Sequence, residues 1–580
     1  MKLTSKIMPI VTMLILISCS EREERGIISD DFSNDVGVAD IVVPSDGVSF
    51  PECGSNVDYG RHLIPSENES GFDGDLFKKV RRYDRLFHTF VTYAFGLNTE
   101  LTLSNQSVEK RELLRGFLYE YDGWSLDEFK AGLKVTDIIE GWDKCAGLYA
   151  GAGIAADAFR YAILRDSGGD CKELEIARNQ LVKSMDALHI AFRIAATHGV
   201  VARGFANREL PGIGKSIIPL PLFDENGNPY PTEKTNGTWR EDLSGEYPHL
   251  YWEDSISRDM MLGWALAVAS VKEVIKDDPS FSSELKNRLK DDATHIGEEL
   301  RVKRESGYDL ELPDADGRTT FHGYINENNV DGTYIPGLNN GFYATMALGI
   351  VSAFAYASED RAAYEYLEKQ LIKRRELHKI ASENMKFIDM GLQSNFSNYN
   401  MVIISAYLAM RYLPSKEARD EIKKAMEVQI YNIPGRDRQP VEMKQTLFDV
   451  IYAYSKTDGS VYSAPNGFYQ EDAITRGLDT LNEFPDAPFY DISVENCDEQ
   501  EINSGVCTLI DGTVVTVLGY KGRNGDLITK EPLPMRARPP SNFYWRSNPY
   551  VPNGGGDGSR LLSGVDLRFA YYLGRYLRYR

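Results

Sequence analysis

The sequence predicts an all-α fold, an (α/α)6-type toroid of helical hairpins with small β-hairpin insertions in the loops at one mouth. Three observations predict it. Segments apolar on nearly every side alternate with charged amphipathic ones from residue 144 onward. The links between them are alternately short and long, and a last helical segment stands where it can close against the first hairpin. An open solenoid would make the same hairpins without closing the ring.

The chain opens with Lys2 and Lys6 ahead of an apolar run over residues 7–17, too short to read as a transmembrane helix. The run ends Leu16-Ile17-Ser18-Cys19, which resembles the lipobox of bacterial lipoproteins. That resemblance makes residues 1–19 a signal peptide with a lipidated Cys19. It implies an extracytoplasmic chain, lipid-anchored at the periplasmic face or the cell surface. Residues 20–70 are polar and turn-rich (EREER, DDFSND, VVPSDG) and read as a flexible tether. Residues 71–580 are then one toroid domain.

Composition supports a large folded core, with 42% hydrophobic and 26% charged residues in 580. The formal charge of -21 argues against nucleic acid or an anionic membrane surface as a partner, since both would be repelled. The lipid anchor is therefore the expected membrane contact. Apart from Cys19 there are five cysteines; Cys497 and Cys507 are the expected pair, and the odd number leaves one thiol unpaired within the chain.

Residues 76–95 place Leu76, Val80, Tyr83, Phe87 and Phe90 on one face, which suits an outer helix. The Gly- and Ala-rich residues 144–164 suit an inner helix surrounded by others, and residues 172–197 an amphipathic outer one. The alternation repeats at 257–275 and up to 304, at 340–357 and 361–380, and at 399–412 and 415–428. Residues 444–454 and 562–579 add two inner helices. Outer-to-inner links are the long ones, at 198–256, 305–339, 381–398 and 456–561. In alternating hairpins these share one end, so the ring has one elaborated mouth, where sites usually lie. Short strands are expected there, above all 508–520 around Asp511-Gly512 and a similar turn at 222–228.

The densest chemistry falls in the first long link and the helix start after it. Trp252, Glu253 and Asp254 precede Arg258 and Asp259. The functional reading makes Asp259 an acid or base at the mouth. The structural alternative makes Asp254 or Ser255 a helix cap and Arg258-Asp259 an ion pair. Asp314 and Asp316, followed by Gly317, suit either an Asp-capped turn or a cation site, but no distal Glu completes a calcium loop. His322 is a structural histidine or a proton carrier. Arg203 suits carboxylate or phosphate recognition, or an ion pair with Glu209. Trp545, in SNFYWRSNPY, stacks on a sugar or plugs the ring. No CxxC, HExxH, P-loop, dinucleotide fingerprint or GxSxG pattern occurs, so no metal or cofactor is expected and chemistry rests on carboxylates.

The segments GWDKCAGLYAGAGIAADAFRYAIL, ALHIAFRIAATHGVVARGF, WEDSISRDMMLGWALAVA and FYWRSNPYVPNGGGDGSRLLSGVDLRFAYYLGRYL look like those of a group of bacterial lipoproteins. Over residues 135–580 the pattern also resembles the six-hairpin glycosidase superfamily. The resemblance implies a toroid whose mouth binds or cleaves carbohydrate, though no acid-base pair of those enzymes maps onto a residue here. The expected function is a lipoprotein with a glycan-binding mouth that acts as a glycoside hydrolase or polysaccharide lyase. Asp259 would then be one carboxylate and Asp254 or Asp316 its partner, with Arg203, Trp252, Arg258, His322 and Trp545 positioning sugar. The alternative is a noncatalytic ligand-binding or envelope-scaffold lipoprotein. Oligomeric state is left open.

Overall fold

The computed structural model describes residues 60–168, 170–212, 217, 219, 225–227, 238–385, 391–433, 435–467 and 469–579. Cys19, Cys53, tether residues 20–59 and most of the turn expected at 222–228 lie outside the described residues. Helix α1 (Gly74–Leu86) starts at Asp73, whose carboxylate accepts the N–H groups of Asp75 and Leu76. Three short helices follow, α2 (Val108–Tyr119), α3 (Leu126–Phe129) and α4 (Val135–Ile138).

Inner and outer helices then alternate. Inner α5 (Gly147–Ser167) leads to outer α6 (Cys171–Arg193), and inner α7 (Arg258–Ile275) to outer α8 (Ser283–Glu299). Inner α9 (Gly341–Ser358) leads to α10 (Arg361–Tyr366) and α11 (Leu377–Glu383). Inner α12 (Phe396–Tyr412) leads to α13 (Lys416–Ala425), and inner α14 (Thr446–Ser455) to α15 (Glu471–Glu483). After the short α16 (Glu499–Ser504), α17 (Val565–Tyr576) is the last inner helix.

Sequence explains the division. Every residue of α9 is buried, because Gly, Ala and apolar side chains surround its axis. α15 buries only a stripe of Ala473, Ile474, Gly477, Thr480 and Leu481. Packing contacts run from α5 to α7, α9, α12, α14, α17 and back to α5, and α1 lies against α17. The tightest approach is between α5 and α7. A Cβ on Gly151 would stand 2.0 Å from the Gly263 carbonyl oxygen, and one on Gly263 would stand 2.2 Å from that of Gly147.

The C-terminal ends of three inner helices are joined by buried polar groups. Glu273 of α7 accepts from Arg411 Nε at 3.2 Å and from the hydroxyls of Tyr412 at 2.8 Å and Tyr576 at 2.6 Å. Burial opposes its ionisation, but Arg411 and the two phenols outweigh it and hold the carboxyl below its usual value. A second network ties α1 to α5 and α17. Arg568 donates to Asp84 and Asp157, both at 2.7 Å, and His88 meets Asp157 at 3.0 Å.

The expectation of an all-α fold is corrected by a fair amount of antiparallel strand. A four-stranded sheet orders Phe489–Glu495, Asn553–Leu562, Thr99–Thr102 and Gly141–Cys145. A three-stranded sheet orders Gly204–Asn207, Leu250–Glu253 and Trp239–Glu241, with Phe205 opposite Trp252. Arg61–His62 pairs with Arg578–Tyr579 just beyond the end of α17. The first of these sheets joins residues more than 400 positions apart (Arg560 opposite Thr102), which local periodicity cannot register. Val506–Thr508 and Val514–Lys521 pair around Asp511-Gly512, and Cys497 and Cys507 form a disulfide. Cys145 is a buried free thiol, and Cys171 is disulfide-bonded.

Two helix expectations also change. Outer helix α15 falls inside the stretch read as the link 456–561. The stretch 361–380 does not run as one helix, because Glu376 has a left-handed φ of 51°.

Two measurements test this packing. Gly263→Ala should lower stability by about 1–3 kcal/mol, read from the urea midpoint, because neither helix backbone can yield to the new methyl. Burial pushes the carboxyl of Asp566, despite the N–H groups of Tyr544 and Leu567, up to about 7. The folded chain therefore keeps a proton that the unfolded chain releases near pH ~3.9. Stability should fall as pH rises from about 4 to about 7, and Asp566→Asn should flatten that fall in urea titrations across the range.

Candidate functional site

The long links deliver the chain to the N-termini of the inner helices, and half-buried charged groups gather at those of α5, α7 and α9. Ser257 precedes α7, and its hydroxyl donates to Asp259 Oδ1 while accepting Arg203 Nη1 at 2.8 Å. Asp259 stands in the first turn of α7, where exposed N–H groups favour a carboxylate. Arg258, next to it, donates to Asp331 Oδ1 at 3.0 Å and lies over the Tyr343 ring at 5.2 Å. The Tyr343 hydroxyl also donates to Asp331, at 3.2 Å. On the α5 side, Arg546 lies over the Tyr149 ring at 5.2 Å, and Phe543 backs that ring at 5.6 Å. Glu253 is shared by Lys144 at 3.0 Å and Arg203 at 3.4 Å.

Electrostatics sorts these groups by protonation state. Burial works against ionisation of Asp259, but Arg203, the Ser257 hydroxyl, Arg258 and Arg546 outweigh it and hold its carboxyl below the usual value. Burial and then Arg258 lower the pKa of His322, against the pull of Asp331 and Asp259, so the imidazole is neutral at pH 7. Burial raises both Tyr149 and Tyr343 to about 12, so each is a phenol rather than a phenolate. At neutral pH Asp259 is thus an ionised carboxylate, His322 a neutral imidazole, and Tyr149 and Tyr343 are phenols. A cavity of about 530 Å³ adjoins Tyr149 and is lined by Glu100, Asp491, Ser541, Asn542 and Ser563 among others. That volume suits a small ligand. A larger cavity of about 910 Å³ lies between α6 and α8, outside the inner helices, and its His189 and His198 already meet Asp292 and Glu298 at 2.8 and 3.1 Å.

Of the residues expected from sequence, Arg203, Arg258, Asp259 and His322 come together. Asp254 and Asp316 do not join them as free carboxylates. Asp254 accepts Arg240 Nε at 2.8 Å, the Ser255 N–H at 2.7 Å and the Ala315 N–H at 3.2 Å, and Arg240 Nη2 donates to Asp316 at 3.0 Å. Arg318 also meets Asp316. Burial and the neighbouring Asp314 raise the pKa of Asp254. Asp314 organises the turn through the N–H groups of Asp316 and Arg318, at 3.1 and 2.8 Å. These acids are structural, because the buried guanidinium of Arg240 and the half-buried one of Arg318 already occupy the space a partner would need.

Trp252 and Trp545 are corrected too. Both are 0% exposed, with Trp252 donating to the Glu241 carbonyl and Trp545 to that of Asp566, at 2.9 and 2.8 Å. Their rings fill the core and offer no face to a sugar. The cap expected at Asp254 or Ser255 falls instead at the Ser257 position, and Arg258 pairs with Asp331 rather than Asp259. Arg203 pairs with Glu253 rather than Glu209.

Sequence reasoning passes over Arg546, Tyr149, Tyr343 and Asp331. The available signal was Arg546 itself, a charge set among the aromatic residues of FYWRSNPY. Arg240→Met should lower stability by about 3–5 kcal/mol in urea unfolding, since it strips the buried Asp254 carboxylate of its guanidinium and leaves Asp316 with Arg318 alone. Asp259→Asn should shift the same midpoint far less, because Asp259 is half-buried and makes no direct ion pair among the described residues.

No family model matches the chain, and no curated protein matches it. Solved structures do. A sugar epimerase from a ruminal bacterium is 11% identical over 74% of this chain and 88% of that one, with a TM-score of 0.33. The cellulase Cel9M of C. cellulolyticum is 10% identical over 87% and 98%, with a TM-score of 0.35. The endoglucanase CelQ from Clostridium thermocellum, complexed with cellotriose, is 11% identical over 74% and 62%, with a TM-score of 0.34.

Proposed function

We propose that the chain is an (α/α)6 toroid whose mouth binds a glycan and cleaves it with Asp259 as the base. It belongs to an extracytoplasmic lipoprotein anchored through Cys19. The observation that carries the reading is the state of Asp259. It is ionised, fixed through one oxygen by Ser257, and set beside a neutral His322 in a half-buried site with two phenols. An ionised carboxylate accepts a proton from a water or from an activated carbon, as a weaker base than a free aspartate because its pKa is lowered, and Tyr149 borders the adjoining cavity. The cyclic order of inner-helix contacts supports the toroid.

A second reading is favoured by one observation. The two acids expected to partner Asp259 are bound to Arg240, so the paired carboxylates of a glycoside hydrolase are not assembled from them. A single base with nearby cations fits a lyase or a noncatalytic binding protein.

Reducing-end release from a panel of polysaccharides, by the full chain in detergent and by Asp259→Asn beside it, separates a catalytic site from a noncatalytic one, and absorbance of an unsaturated product near the new nonreducing end separates a lyase from a hydrolase. Catalysis predicts a loss of about 100-fold or more in the variant, with its urea midpoint little changed. Binding without release by the parent chain transfers the site to a binding protein.

A further inference from the structure

Resting on the glycan reading above, we infer that the cavity beside Tyr149 seats one uncharged sugar unit of the glycan, held by Asn98, Tyr149 and Asp491. Two side chains on its wall are buried and lack partners. Asn98 is 7% exposed and Tyr149 8%, yet neither the Asn98 amide nor the Tyr149 hydroxyl makes a hydrogen bond among the described residues. Asn98 Oδ1 is sealed in, whereas Asn98 Nδ2 and the Tyr149 hydroxyl keep open surface. A polar group withdrawn from bulk water with no partner is costly, and two of them on one cavity are groups a bound molecule would satisfy.

The rest of the wall completes a set of donors and acceptors. Asp491 Oδ1 accepts the Arg560 N–H at 3.0 Å, and its carboxylate makes no ion pair among the described residues. Its Oδ2 lies 2.2 Å from where a Cβ on Gly556 would stand, so the glycine gives this carboxylate its room. Asn542 donates through Nδ2 to Glu100 at 2.8 Å and keeps its carbonyl oxygen. Sugar hydroxyls each donate and accept, and this wall offers both beside an aromatic ring. Charge then selects the unit. The ionisable groups on the wall are Glu100, Asp491, Asp557 and Arg560, and Arg560 pairs with Glu100 at 2.8 Å. Of the cations near it, Lys144 is taken up by Glu253 at 3.0 Å, and Arg111 meets the Gly558 carbonyl at 2.6 Å from outside the wall. Carboxylates outnumber cations there, so a uronate or sulfated unit is repelled. Tyr149 joins the cavity to the cluster at α7. Burial, with the charges of Asp259 and Glu100, keeps its phenol protonated against Arg546 and Arg203, so a unit in the cavity meets a hydroxyl that lies in the field of Asp259.

Titration calorimetry of the full chain in detergent tests this on the polysaccharide panel, extended by two matched pairs, methyl-esterified pectin with pectate and dextran with dextran sulfate. Neutral polymers should supply the tightest binding, about tenfold or more over an anionic partner. Asn98→Leu and Tyr149→Phe should each weaken it about fivefold while leaving the urea midpoint unchanged or raised, because each keeps the volume and removes a polar group with no partner in the fold. Asp491→Asn, which keeps an acceptor and removes the charge, should narrow the gap between neutral and anionic partners. Neutral binding untouched by Asn98→Leu and Tyr149→Phe, a urea midpoint lowered by both, or anionic partners bound as tightly as neutral ones would overturn the subsite and leave the glycan reading standing. Failure to bind any polysaccharide, charged or neutral, would overturn both.

Discussion

Glu273 is the constraint on which the arrangement of the inner helices depends. A carboxylate this deep is tolerable only with its charge and lone pairs taken up, and the groups that do so come from two other helices. Arg411 and Tyr412 belong to α12 and Tyr576 to α17, so one side chain of α7 ties three inner helices together near their C-termini. That network occupies the end opposite the long links and leaves the other end to build a site.

Around the N-terminus of α7 the same chemistry is used in two ways. Asp254, Asp314 and Asp316 meet Arg240 and Arg318 in a buried cluster that fixes the path of two long links against each other. Asp259, five residues beyond Asp254, is spared that fate because Arg203 and Arg258 are engaged elsewhere, with Glu253, Ser257 and Asp331. The difference between a structural acid and a chemically available one thus lies in which arginine reaches it, and that is set by strand pairing rather than by the acid itself.

This explains how much could be read in advance. The inner helices were legible because an apolar surround leaves a composition signature, as in α9, and the outer ones because a stripe such as Leu174, Ala177 and Leu181 recurs at helical spacing. The cluster of Arg203, Arg258, Asp259 and His322 was legible as charge placed where the chain enters a helix. The partners were not. Arg240 meets Asp316 from 76 residues away, and Tyr149 and Arg546 meet across nearly 400, distances at which sequence spacing carries no information. Trp252 and Trp545 misled for the same reason: a tryptophan beside polar residues looks alike whether its indole faces solvent or a backbone carbonyl of the core.

The pairing of Arg61–His62 with Arg578–Tyr579 fixes where the described chain begins. It lies just past Tyr576, on the side sealed by Glu273, with Arg575 reaching Glu67 at 2.7 Å to hold it there. Any load applied through the residues upstream of Gly60 enters at that sealed side. A pull on Arg61 and His62 is therefore taken up first by Arg578–Tyr579 and the C-terminal end of α17, away from the charged groups at the N-terminus of α7.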